Sequence, residues 1–138
     1  KQCLVGSEMC IRDRARTLWG ESRNQPVEGQ IAVAWTINNR YKAKSWYGDS
    51  IKEVCLKEWQ FSCWNEDDPN REQIEQLPET DPMYLRMVGI CYLVLHNKLP
   101  DPTEGSTHYH TTTVSPKWAE GETPCVEIGD HLFYNTVT

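Results

Sequence analysis

Residues 15–23 read Ala15-Arg16-Thr17-Leu18-Trp19-Gly20-Glu21-Ser22-Arg23. Ala15, Leu18 and Trp19, with Ile11 one turn earlier, fall at helical spacing, so a helix is expected over about residues 11–20. After Gly20 the apolar run is over, and Ser22-Arg23-Asn24-Gln25-Pro26 is polar and turn-forming, with Pro26 at the edge of the next periodic segment. Glu21 therefore stands where the helix ends, beside an indole and open to solvent. Such a setting disfavours a carboxylate's charged form and can keep a proton at neutral pH, as a general acid requires. The plain alternative is an ordinary solvated glutamate, although its charge would oppose the negative end of the helix dipole.

Working outward, a second helix is expected from Val27 to Ala43. Ile31, Ala34, Trp35 and Asn38 share a stripe that Val33 and Ile37 widen, so this helix is largely buried. A short helix near residues 50–56 precedes the Trp-rich segment 59–64. The acidic stretch 65–76 reads as an exposed loop. Asp81 before Pro82 is an N-cap and N1 pair, opening a helix to about His96 with Tyr84, Met87, Val88, Cys91 and Leu95 on its core face. Residues 99–105 are turn-rich, while Thr107 to Val114 and Leu132 to Val137 favour extended chain. The fold class is α+β, mostly helical, with a small β element near the C-terminus.

The 138 residues suffice for one domain with a real core. A formal charge of −6 argues against nucleic acid and anionic membrane surfaces, which call for clustered Lys and Arg. Neither partner is expected, and the chain reads as a monomer without a spanning helix or cofactor. Six Trp and six Tyr suit stacking on sugar rings, about half of them serving the core. Trp64 and Trp118 are equally readable as sugar platforms or packing residues. Residues 3–14 (CLVGSEMCIRDR) resemble translated sequencing-adapter read-through. Residues 1–14 are therefore set apart from a catalytic unit over 15–138, and a lost export signal or binding module is allowed for. Of six cysteines, Cys91 lies in an apolar helical stretch where a free buried thiol is common, and Cys55 with Cys63 is the disulfide pair worth testing.

Several motifs, in order, resemble the spore cortex-lytic, SleB-like cell wall hydrolases. They are Ala15 to Arg23, Glu28-Gly29-Gln30-Ile31-Ala32-Val33-Ala34 with Asn38-Asn39-Arg40, and Gln60-Phe61-Ser62. Asp101-Pro102-Thr103-Glu104-Gly105-Ser106-Thr107-His108-Tyr109, Pro116-Lys117-Trp118 and Ile128-Gly129-Asp130-His131-Leu132-Phe133 follow. The resemblance spans about residues 15–134. It implies a helical core like that of lysozymes and lytic transglycosylases. It also implies cleavage of the β-1,4 bond after N-acetylmuramic acid in peptidoglycan glycan strands, with Glu21 in the place of the catalytic glutamate. An extracytoplasmic, cell-wall or phage-released location goes with it. His108-Tyr109-His110 departs from the consecutive tyrosines and asparagine more usual there.

Given that chemistry, Glu21 would protonate the glycosidic oxygen as an oxocarbenium-like centre develops. Hydrolysis calls for a second carboxylate, whereas transglycosylation uses the sugar's C6 hydroxyl and can run on one glutamate. Glu28 is the nearest acid in sequence and reads as a buried structural hydrogen-bonding group, so lytic transglycosylation is preferred to muramidase action. Gln60, Phe61 and Ser62 suit a groove wall, or else Phe61 is core and its neighbours cap a turn. His108 is taken with Tyr109 as substrate-binding. Tyr109 reads as a cross-strand packing residue on periodicity and, by the resemblance, as reaching Glu21 or the sugar. A zinc amidase or peptidase using His108, His110 and His131 is a second function, and a non-catalytic glycan-binding module a third.

Overall fold

The computed structural model describes residues 8–43, 61–65 and 67–137. Helix α1 spans Glu8–Ser22 and α2 spans Val27–Ala43. After a 3-10 turn at Ser62–Trp64 come α3, Pro69–Glu75, and α4, Pro82–Leu95. Strands β1 (His108–Thr111), β2 (Val126–Ile128) and β3 (His131–Tyr134) form an antiparallel sheet in the order β1-β3-β2, and a second 3-10 turn lies at Lys117–Ala119. No helix among the described residues is long and apolar enough to cross a membrane.

Helices α1, α2 and α4 pack on one another, with Leu18, Val33, Ile37 and Met87 fully buried between them, and Phe133 of β3 joins this core. Gln30 ties the corner between α1 and α2. It is buried, and its amide donates to the carbonyls of Ser22 at 3.2 Å and Gln25 at 3.1 Å, satisfying groups that the end of α1 leaves without helical partners. The expected caps form at α4, where Asp81 accepts from the Tyr84 N–H at 2.9 Å and Pro82 opens the helix. Cys91 is a free buried thiol, and burial pushes its pKa up to about 12 against the opposing charge of Arg14.

Several sequence expectations need correction. Helix α1 begins earlier and ends later than residues 11–20, so it runs unbroken through residue 14, and Glu21 lies inside its last turn. The acidic stretch at 65–76 contains a helix. Asp68 caps it by accepting from the Asn70 N–H at 2.8 Å, Pro69 opens it, and Ile74 is fully buried against α1. One apolar side chain in that polar stretch carries the packing, which periodicity over seven residues cannot reveal.

On α4 the buried face is Tyr84, Met87, Ile90, Cys91 and Val94, with Val88 and Leu95 at its flanks, because a helix apolar nearly all round does not declare its inner face. Strand β2 is unforeseen. Its three residues are too few to alternate visibly, and Cys125 leads into it through an N–H bond to the Phe133 carbonyl at 2.8 Å. Glu28 is exposed on the first turn of α2 rather than in a buried hydrogen bond. The helix expected near 50–56, Cys55 and Gln60 lie outside the described residues.

Because Ile74 is the buried anchor of α3, Ile74→Ala is expected to lower the unfolding free energy by about 2–5 kcal/mol. Denaturant titration followed by tryptophan fluorescence checks this, and a loss under about 1 kcal/mol would mean that α3 is loosely held.

Candidate active site

The site is assembled around the last turn of α1, and Gly20 decides its shape. A Cβ at Gly20 would lie 2.4 Å from Ile74 Cδ1 and 2.8 Å from Cys63 Cβ, so the bare backbone lets residues 61–65 and α3 seat directly on the helix. Two further bonds fasten that seat. The Trp64 indole N–H donates to Thr17 Oγ1 at 2.7 Å, and an Arg71 N–H donates to the Trp64 carbonyl at 3.2 Å. Trp64 is thus tied into the scaffold. The consequence reaches Glu21, whose Oε2 accepts the Cys63 backbone N–H at 3.1 Å.

Glu21 Oε1 accepts from the Tyr109 hydroxyl. Tyr109 comes from β1, 88 residues away, and its position is set by α2. Arg40 Nε donates to the Thr107 carbonyl at 2.6 Å and Asn39 Nδ2 to the Ser106 carbonyl at 3.0 Å, fixing the chain just before the strand. Burial first, then the neighbouring Glu21 carboxylate, hold the Tyr109 pKa well above the usual phenol range, with Arg40 opposing. The hydroxyl therefore keeps its proton and stays a donor to Glu21.

A negative charge at the C-terminal end of a helix is unfavourable. Arg23 offsets it. Its guanidinium donates to the Trp19 and Gly20 carbonyls, both at 3.4 Å, lies 4.2 Å over the Trp19 ring and donates to Asn70 Oδ1 at 2.7 Å. The helix end is capped by a cation while the carboxylate is left to face the strand.

The sheet has two unlike faces, because alternate strand residues point oppositely. Tyr109 and Phe133, paired in register, share with His131 the face toward the helices and Glu21. His108 and His110 lie on the other, with Trp118 edge-on at 5.0 and 5.6 Å and Tyr134 stacked on His110 at 5.3 Å. His110 is bonded to the Thr111 carbonyl at 2.7 Å and to the Tyr134 hydroxyl at 2.8 Å. No group of three or more His, Cys, Asp or Glu among the described residues converges as metal ligands, and the three histidines considered for zinc divide between the two faces.

Of the substrate-binding residues expected from sequence, Tyr109 meets Glu21. Phe61 does not line a groove. It is 1% exposed, with the Arg40 guanidinium 4.5 Å over its ring, because an aromatic side chain leading into the seated turn is drawn into the core. His108 is buried against Trp118, on the sheet face away from Glu21. Gln60 and the side chain of Ser62 lie outside the described residues.

Two contributors were not foreseen. The Cys63 N–H is a backbone group that side-chain motifs do not display. Gln25 accepts the Asp130 N–H at 3.0 Å and donates to Asp130 Oδ2 at 3.2 Å, clamping the turn into β3 against the corner between α1 and α2. Gly129 enters that clamp at φ 58°, where a Cβ would lie 2.5 Å from Gln25 Oε1. A glycine before an aspartate was the only sequence sign of it.

A family model for cell wall hydrolases matches residues 24–134. Among solved structures, the catalytic domain of the germination-specific lytic transglycosylase SleB from Bacillus anthracis is similar at a TM-score of 0.71 and 27% identity, over 94% of this chain and 96% of that one. The catalytic domain of the Bacillus cereus SleB protein is similar at a TM-score of 0.71 and 26% identity, over 94% and 91%. No curated protein sequence matches this chain.

Gly20→Ala is expected to destabilise the fold by about 1–3 kcal/mol through overpacking and, by shifting the Cys63 N–H from Glu21, to cut turnover by roughly ten- to hundredfold. Unfolding titration and an activity assay at a temperature where the variant stays folded separate the two effects.

Burial, helped by Arg40, lowers the His108 pKa from 6.5 to about 4 despite the opposing charge of Glu122. Between those values the unfolded chain binds more protons than the folded one, so stability is full above the upper value and falls as pH drops toward the lower. Urea midpoints from about pH 7.5 down to about 4 should show the decline. His108→Leu should lessen without abolishing it, since burial lowers the His131 pKa as well.

Proposed function

This chain belongs to the cell wall hydrolase family, and on that premise we propose that it cleaves peptidoglycan glycan strands at the β-1,4 bond after N-acetylmuramic acid, as a lytic transglycosylase working through Glu21. The observation that carries this reading is the two-sided hold on one half-buried carboxyl group, with a backbone N–H on Oε2 and a phenol on Oε1. Likeness in fold to a germination-specific lytic transglycosylase, 27% identical over nearly all of both chains, supports it.

As general acid, Glu21 gives a proton to the glycosidic oxygen as the bond to muramic C1 breaks, with positive charge spreading over C1 and the ring oxygen. The leaving sugar departs with a free hydroxyl. The carboxylate then takes the proton of the muramic C6 hydroxyl as that oxygen bonds to C1, closing a 1,6-anhydro ring. Glu21 is restored, and no water is consumed. Tyr109 suits both halves, since a phenol can donate to the carboxylate and accept from the acid, whereas the Cys63 N–H can only donate.

Hydrolytic muramidase action is the second reading, and it calls for another carboxylate. Glu28, the nearest acid in sequence, is exposed on the first turn of α2. The substrate implies an extracytoplasmic site of action.

Mass spectrometry of muropeptides released from purified sacculi tests the proposal. Wild type is expected to release 1,6-anhydro-muropeptides with or without a chelator, and Glu21→Gln to lose at least about a hundredfold in rate. Reducing muramic ends would instead establish hydrolysis, loss of activity with the chelator a metal enzyme, and an active Glu21→Gln variant would remove Glu21 from the chemistry.

A further inference from the structure

The Cys63 N–H and the Tyr109 hydroxyl are spent on the two carboxylate oxygens. His131, on the same sheet face, has its ring 4.8 Å from that of Tyr109 and is close enough for the Glu21 charge to act on it. It is 3% exposed, and its Nδ1 is fully enclosed without a hydrogen-bond partner. Its ring neighbours are Tyr109 and Phe133, neither of which bonds to it.

Leaving a buried imidazole nitrogen unpaired is costly, and a phenylalanine of nearly the same shape would avoid the cost. The position is also built, not incidental. Gln25 grips Asp130 through both its carboxylate and its backbone N–H, and Gly129 makes room for that grip, which sets the residue that follows. A polar side chain held rigidly beside the reacting carboxyl, with its bonding capacity unspent, suits a ligand that supplies the missing partner.

We propose that His131 is a substrate-contacting residue, whose imidazole hydrogen-bonds a hydroxyl or N-acetyl group of the sugar bound next to Glu21. Burial lowers its pKa, against the opposing charges of Glu21 and Asp130, and the His110 side chain acts with burial. The ring is therefore neutral at neutral pH and offers one donor and one acceptor, the pairing that hydroxyl and amide groups take. Tyr109 packs edge-on against the ring at 4.8 Å and holds it in place.

This inference rests on the glycan-cleaving reading, and its test keeps the two apart. His131→Phe keeps the ring packing and removes both nitrogens. The variant is expected to melt at or above the wild-type temperature, yet to release muropeptides from sacculi roughly ten- to hundredfold more slowly. In the Glu21→Gln background, adding His131→Phe should weaken binding of soluble, peptide-free glycan strands by a similar factor. A His131→Phe enzyme of full activity beside an inactive Glu21→Gln would overturn this inference alone, as would unchanged glycan binding in the double variant. An active Glu21→Gln would overturn the reading beneath it. Should His131→Phe fail to fold, His131→Asn and His131→Leu decide the matter. The amide, standing near the Nδ1 position, must bind glycan strands more tightly than Leu at matched stability, and equal binding overturns the proposal.

Discussion

The seating of Cys63 and Ile74 on helix α1 at Gly20 is the contact on which the site depends. Any side chain there would push the 61–65 segment outward, and the Cys63 N–H would leave Glu21 Oε2 with it. The same contact brings α3 down, buries Ile74 and presents Asn70 to Arg23. A single missing methyl group thus couples a core contact, a helix cap and a carboxyl orientation. The sequence Gly20-Glu21 is therefore one device, in which the glycine admits the donor that the glutamate receives.

The helix dipole favours negative charge at a helix's N-terminal end. Glu21 sits at the opposite end, and the fold compensates locally. Arg23 turns back to the last carbonyls and stacks on Trp19, so the helix terminus meets a cation within one turn. Two donors approach Glu21 from segments 42 and 88 residues downstream. Neither donor carries a full charge. Among the described residues the carboxyl is oriented by these two neutral donors and by no salt bridge.

What could be read from sequence follows from where each signal is written. Helix α2 and the caps of α4 are local, set by periodicity, Asp81 and Pro82, and they were legible. The α3 helix rests on one buried isoleucine within an acidic stretch, and the face of α4 is ambiguous because Leu85, Tyr92 and Leu93 are as apolar as the residues they turn away. Glu21 was legible as a misfit, a charge at the wrong end of a helix. Tyr109 was marked by family resemblance more than by pattern. The Cys63 N–H and the Gln25 clamp were hidden, since one is backbone and the other spans 105 residues. The unpaired nitrogen of His131 is a property of surroundings, invisible until burial and bonding are both known.

Strand β1 shows why so small a sheet must be held so firmly. Side chains alternate across it, so a slip of one residue would exchange Tyr109 for His108 or His110 beneath Glu21 and turn the phenol toward Trp118. Four paired residues between β1 and β3 would resist such a slip only weakly by themselves. The register is instead fixed from outside, by Arg40 and Asn39 on the chain before β1 and by Gln25 on the turn before β3. These braces all come from α2 or from the corner leading into it. Helix α2 carries neither the acid nor the phenol, yet it determines that they meet. The buried polar face of α2 is accordingly part of the site's machinery, for an apolar replacement at Arg40 or Asn39 would leave the helix intact while freeing the strand to slide.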